Sequence, residues 1–279
     1  MNFTEKLKRA AKQANSLLCV GLDPSIDKIP AQLKKEYRNE ADLVFEFCRR
    51  VVETTKMETC AYKPNLAFFE ALGSEGWRVF EDVVDMIPSN KILIADAKRG
   101  DIGNTSKKYK EAFFDRLDVD AITLNPLMGI ETLEPFLDDE EKAVFVLTMT
   151  SNRGAADFLQ RRFEGRMSLG AYIAEELAKK QENSKTHIGM VVGATDGDSA
   201  EQVLNRYITS HLLIPGIGAQ GGSVSDVQKA LVLHRGIPVI SASRSIIYAG
   251  SDRENWIEHV RDKALEMKDR INKITADYV

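Results

Sequence analysis

An aspartate, a lysine and a second aspartate stand at positions 96, 98 and 101, directly after the apolar run Ile92-Leu93-Ile94-Ala95. That run reads as a buried strand. Strand residues two apart share a face, so Asp96 and Lys98 leave its C-terminal end side by side. Building a core calls for none of these charges, and burying them is costly unless they pair. An acid beside a base at a strand end is the arrangement of proton transfer and of electrostatic stabilisation.

These residues need a scaffold, and the chain repeats one pattern along its 279 residues. Short apolar runs with strand character fall at 17–23, 59–64, 92–98, 121–125, 143–149, 188–193, 212–218 and 238–244. Helical patterns separate them at 40–55, 75–86, 106–117, 130–137, 169–180, 199–208 and 223–233. A helix at 4–14 precedes the first strand, and a charged helix at 253–275 closes the chain. Eight strands alternating with helices predict a parallel sheet closed into a single (β/α)8 TIM barrel, one domain over 1–279. The alternative is an open doubly wound sheet. Its G-x-G-x-x-G after the first strand is absent, and Gly216-Ile-Gly218 comes only after the seventh.

Barrel enzymes carry their sites at the C-terminal strand ends. Here those ends hold Asp23, Lys63, Asp96 with Lys98, Asn125, the segment Thr148-Met-Thr-Ser151-Asn152, Pro215-Gly216-Ile-Gly218-Ala-Gln220 and Ser243-Arg244. His187, His211 and His234 precede strands six to eight, at the opposite rim, and His259 lies in the last helix. A zinc site wants imidazoles or thiolates converging at one rim. Asp23 and Asp96 could hold magnesium, but two interposed lysines would repel it, so no metal is expected. The glycines after strand seven and Arg244 after strand eight suit a phosphate, cradled by backbone N–H groups and a guanidinium fork. Lys63 could form a Schiff base, but barrel aldolases usually carry that lysine on strand six, which has none. Alternating charges keep a lysine protonated, so an acid role suits Lys63 and Lys98 better.

These segments together resemble a known family. Asp96-Ala-Lys98-Arg-Gly-Asp101-Ile102-Gly-Asn-Thr105 is similar to the D-x-K-x-x-D-I-x-x-T signature of orotidine 5′-phosphate decarboxylases. Gly21-Leu-Asp23-Pro24, the run from Tyr62 to Glu70, Pro215 to Gln220 and Ser243-Arg244 resemble the same family. Lys63-Pro-Asn65 and Thr150-Ser-Asn152 look like its longer bacterial-type subfamily (type 2), with Arg153 departing from an expected proline. The resemblance implies decarboxylation of orotidine 5′-monophosphate to UMP and carbon dioxide, without a cofactor. Lys98 would protonate a C6 carbanion and Asp96 would face the departing carboxylate. Lys63 and Asp23 would hold the ribose, and Ser151 with Asn152 would read the pyrimidine. Gln220 and Arg244 would grip the phosphate beside Gly216 and Gly218, and Ile102 and Pro215 would help to dry the site. Asp101 and Thr105 would reach into the neighbouring subunit's site, which implies a homodimer.

Two rivals stay open: a metal-dependent sugar-phosphate decarboxylase or synthase sharing the acid–lysine core, and a non-catalytic phospho-ligand sensor. The net charge of −4 gives no reason to expect nucleic acid. No apolar run approaches a membrane span, and the polar N-terminus lacks a signal-peptide core. Cys19, Cys48 and Cys60 have neither pairing nor metal spacing. They are expected to be reduced, buried residues of a cytoplasmic protein.

Overall fold

In a computed structural model describing residues 1–163, 166–193, 197–216 and 224–278, the alternating pattern becomes a closed parallel barrel. Its strands are β1 (Leu18–Leu22), β2 (Ala61–Pro64), β3 (Ile92–Arg99), β4 (Ala121–Leu124), β5 (Ala143–Met149), β6 (His187–Val192), β7 (Leu212–Pro215) and β8 (Pro238–Ala242). Each pairs with its neighbour in sequence, and β8 returns to β1 with Leu18 opposite Ile240. Both faces of the sheet are covered, which is why β1, β2, β4 and β8 are buried along their whole length and are largely apolar, with Lys63, Thr123 and Ser241 the polar exceptions. The barrel fold expected from the sequence is the fold observed.

Several elements differ from expectation. The segment 106–117 belongs to an α-helix, Gly103–Lys110, that widens into a π turn over Glu111–Arg116. The segment 130–137 is a 3-10 helix, Ile130–Phe136, with Pro135 inside it. Proline has no N–H to donate, so helical periodicity alone misjudged the type. A short antiparallel pair, Arg162–Phe163 with Met167–Ser168, was not anticipated between β5 and β6.

The helix Phe3–Ala14 plugs the N-terminal mouth of the barrel. Asn2 and Glu5 form a reciprocal capping box at its start. Phe3, Leu7, Ala10, Ala11 and Ala14 are buried beneath it. Phe3 lies against Phe145 and the imidazoles of His187 and His211, which stack 3.9 Å apart. Burying Phe3 contributes about 2–3 kcal/mol. The histidines serve the fold. His187 Nε2 accepts the His211 backbone N–H, and His211 Nδ1 accepts that of Ile237. Both rings are therefore neutral. Burial pushes the His187 pKa down to about 4 and that of His211 well below the usual range. The three cysteines are free and buried, and burial pushes the Cys19 thiol up to about 12.

Candidate active site

The C-terminal rim gathers the charges that the sequence placed at strand ends. Lys63 is on β2, and its Nζ donates to Asp96 Oδ2 at 2.5 Å. Lys98 Nζ donates to the other oxygen, Oδ1, also at 2.5 Å. The carboxylate thus lies between two ammonium groups. The Lys63 and Asp96 side chains are 8% and 9% exposed, whereas that of Lys98 is 50% exposed and faces the opening. Burial alone would raise the Asp96 pKa, but the Lys63 and Lys98 charges outweigh it and hold the carboxyl well below the usual range. Burial alone would lower the Lys63 pKa, but the Asp96 and Asp23 carboxylates outweigh it and push it up. Lys63 is a fixed cation here, and Schiff-base chemistry is disfavoured.

The backbone at Lys98 departs from a regular strand. Its φ is +48°, in the left-handed region, and the β3–β4 register shifts between Ala95 and Arg99. A flat strand would bring Asp96 and Lys98 to one face; the bend brings their charged ends together. A side chain on residue 100 would collide with the Asn125 carbonyl, so Gly100 lets β3 pass close to the end of β4. Arg99 turns away from the site to pair with Glu70.

Asp23 follows β1. Its Oδ2 accepts the Ser243 hydroxyl from the end of β8, and its backbone carbonyl accepts the Tyr248 hydroxyl. Its other oxygen, Oδ1, is buried and has no partner among the described residues. An ionised oxygen left this way is expensive and suits a ligand hydroxyl. Asp23 acts on Lys63 through its charge without bonding to it.

Asp101 is not in this network. Its Oδ1 accepts the N–H of Ile102, and Ile102 and Thr105 are exposed beyond it. The interleaving of five charges expected from sequence is, within one chain, a trio of Lys63, Asp96 and Lys98 with Asp23 nearby. Ser151, just past β5, packs closely against Gly193 beyond β6, and Asn152 is exposed beside it. Pro215 ends β7, and Gly216 has a φ of +94° that favours glycine. Gly218 and Gln220 lie outside the described residues. Arg244 begins a short helix after β8 and is exposed.

Sequence reasoning missed Thr123. It lies on β4, is 2% exposed, donates to Asp96 Oδ1 at 3.1 Å and accepts the Lys98 backbone N–H at 2.9 Å. The signal was a hydroxyl two residues before Asn125, on the same strand face. Among the described residues no group of three or more His, Cys, Asp or Glu side chains converges as metal ligands do.

A parallel barrel with an aspartate clamped between two lysines at its C-terminal rim is the framework of a barrel enzyme that handles charge and protons there. The chain matches the orotidine 5′-phosphate decarboxylase / HUMPS family over residues 16–258 and belongs to it. It is 40% identical over 275 residues to the orotidine 5′-phosphate decarboxylase of Dehalococcoides mccartyi strain CBDB1, covering 98% of each chain. It is 41% identical over 247 residues to that of Herpetosiphon aurantiacus, covering 88% of this chain and 90% of the other. It also resembles the solved structure of Leishmania donovani OMP decarboxylase, with a TM-score of 0.82, 36% identity, and coverage of 98% of this chain and 99% of that one.

Proposed function

We propose that this protein decarboxylates orotidine 5′-monophosphate to UMP and carbon dioxide in pyrimidine biosynthesis, using no cofactor or metal. The observation that carries the reading is the Lys63–Asp96–Lys98 clamp, with Lys98 the member that faces the opening. Breaking the C6–carboxylate bond leaves its electron pair on C6 as carbon dioxide departs. The Lys98 ammonium stabilises that pair and then gives it a proton, and solvent reprotonates the amine. Asp96 faces the substrate carboxylate. Like charges about 4 Å apart repel by roughly 4 kcal/mol at an effective dielectric of 20, and losing carbon dioxide relieves that repulsion.

The remaining roles follow position. Lys63 and Oδ1 of Asp23 hold ribose hydroxyls, while Ser151 and Asn152 read the pyrimidine edge. Gln220 and Arg244 take the phosphate next to Gly216 and Gly218, where remote binding energy orients the reacting carbon. Pro215 and Ile102 exclude water. Asp101 and Thr105 act in the neighbouring site of a homodimer. The turn of Asp101 away from its own clamp and the 49% exposure of Ile102 support that assignment. The reading places the enzyme in the cytoplasm, with neither nucleic acid nor membrane as partner. Its three free, buried cysteines suit a reducing compartment, and no helix among the described residues is long and apolar enough to cross a membrane.

The test is ultraviolet-monitored turnover of orotidine 5′-monophosphate in excess EDTA, beside Lys98→Ala. Turnover by wild type with a loss of at least roughly 100-fold in the variant is expected for a general acid that also stabilises charge. A folded wild type that turns over only after metal is restored, or not at all, would overturn the proposal.

A further inference from the structure

We infer that Thr123 is a positioning residue of this reaction: its hydroxyl ties the Asp96 carboxylate to the backbone of Lys98, so that acid and proton donor move as one unit. The inference rests on the decarboxylase reading above and extends it to a buried residue beneath the clamp.

The hydrogen-bond polarity has one solution. The Lys98 backbone N–H can only donate, so Thr123 Oγ1 accepts it at 2.9 Å. An ionised carboxylate can only accept, so the Thr123 hydroxyl donates to Asp96 Oδ1 at 3.1 Å. That same oxygen receives Lys98 Nζ at 2.5 Å. The chain of bonds is a closed ring, leaving Lys98 through its main chain and returning through its side chain. It sits where the β3–β4 ladder loses register, between Ala95 and Arg99. The hydroxyl thus supplies the partner that a regular strand would have given the Lys98 N–H. Lys98 also holds a left-handed φ of +48°, which a residue with a Cβ adopts only when its surroundings over-determine it. Thr123 is one of those determinants.

If Thr123 merely fills the barrel, valine would replace it, since it has nearly the same shape. If the hydroxyl positions the pair, serine would replace it and valine would not. Steady-state turnover of wild type, Thr123→Ser and Thr123→Val is measured alongside UMP affinity. The Asp96 carboxyl is titrated in each by carbon NMR, with Lys63, Lys98 and Asp23 left intact around it. Thr123→Val is expected to lose roughly 10- to 100-fold in kcat, the scale of one hydrogen bond to a charged group. KM and UMP affinity should stay within about 3-fold, because binding contacts lie elsewhere. Thr123→Ser should stay within about 3-fold of wild type in kcat. The Asp96 titration should move upward in Thr123→Val alone.

Two results would overturn the inference: Thr123→Val with wild-type kcat and an unmoved Asp96, or Thr123→Ser as impaired as Thr123→Val. An inactive wild type would instead sink the decarboxylase reading, and the Asp96 titration would still decide the role of Thr123.

Discussion

Replacing Asp96 with asparagine keeps the shape of the side chain and removes the anion between two lysines. Lys98 is half exposed and can turn to solvent, but Lys63, with a side chain 8% exposed, cannot. In the variant Lys63 keeps, among the described carboxylates acting on it, that of Asp23. It can stay charged and poorly compensated, or lose its proton. From an ordinary lysine pKa of about 10.4, deprotonation at pH ~7.5 costs about 4 kcal/mol, at 1.36 kcal/mol per unit. That escape sets a ceiling, and stranding one partner of a buried pair typically costs about 3–5 kcal/mol. Urea unfolding should therefore show Asp96→Asn less stable by about 3–4 kcal/mol at neutral pH. Adding Lys63→Met should recover most of that loss. Turnover should fall by at least roughly 100-fold, since Lys98 loses its anchor. The acid limb should change too. The depressed folded pKa of Asp96 gives wild type a stabilisation present above the unfolded value of about 3.9 and lost as pH falls through the folded one. Asp96→Asn lacks that limb. A cost below about 1 kcal/mol, or no recovery on adding Lys63→Met, would refute the view that Asp96 holds a buried cation in place.

Two further outcomes are expected. His187 titrates at about 4 in the fold and at about 6.5 unfolded, so the unfolded chain takes up its proton first. Stability from this group is full above pH ~6.5 and declines toward pH 4, by about 3 kcal/mol in total; His187→Gln, which can still accept the His211 N–H, should flatten that decline, and an unchanged slope would contradict the neutral stack. If the proposed dimer shares its sites, Lys98→Ala and Asp101→Ala chains, each inactive alone, should regain about one quarter of wild-type activity when refolded together in equal amounts, because half the dimers are mixed and each mixed dimer holds one intact site. No recovery would mean that Asp101 serves its own chain.

The barrel was legible because its burial pattern is written in sequence order: each strand pairs with the next, and each pair is separated by a helical segment. Strand limits were less legible. Expected strands ran on to Asp23, Asn125, Gly193 and Arg244, whereas the ladders stop at Leu22, Leu124, Val192 and Ala242. The polar and glycine residues just past the last ladder bond, Asp23, Asn125, Gly193 and Ser243-Arg244, continue the chain direction into the rim that forms the site, so no change of pattern marks where pairing ends. Asp96, Lys98 and Lys63 were readable as charges with no place in a core. Thr123 was not, because a threonine inside a strand is ordinary by composition and gains meaning only from the hydrogens it exchanges. The pairing of Arg99 with Glu70 joins elements whose relative placement no local pattern encodes.

Three unfavourable features gather around the clamp. A left-handed lysine, a buried acid against a buried base and a buried carboxylate oxygen without a partner among the described residues all lie at the C-terminal rim. Each costs on the order of 1–3 kcal/mol unless something else compensates. The opposite rim has strain of its own, in left-handed Asn15 and Asp118 and buried Lys91 and Lys142, but its two stacked imidazoles are satisfied. There the Phe3 ring, a capped helix and two neutral imidazoles meet their neighbours, and His187 and His211 accept backbone N–H groups. His234 Nδ1 lacks a partner among the described residues, but a neutral ring nitrogen costs far less to leave unpaired than an ionised oxygen. Opposed charges held at the rim by a bent strand are what a site pre-set for ligand charge requires. On the proposed reading, Asp23 Oδ1 meets a substrate hydroxyl and the half-exposed Lys98 ammonium meets the developing carbanion, so both belong at the open rim.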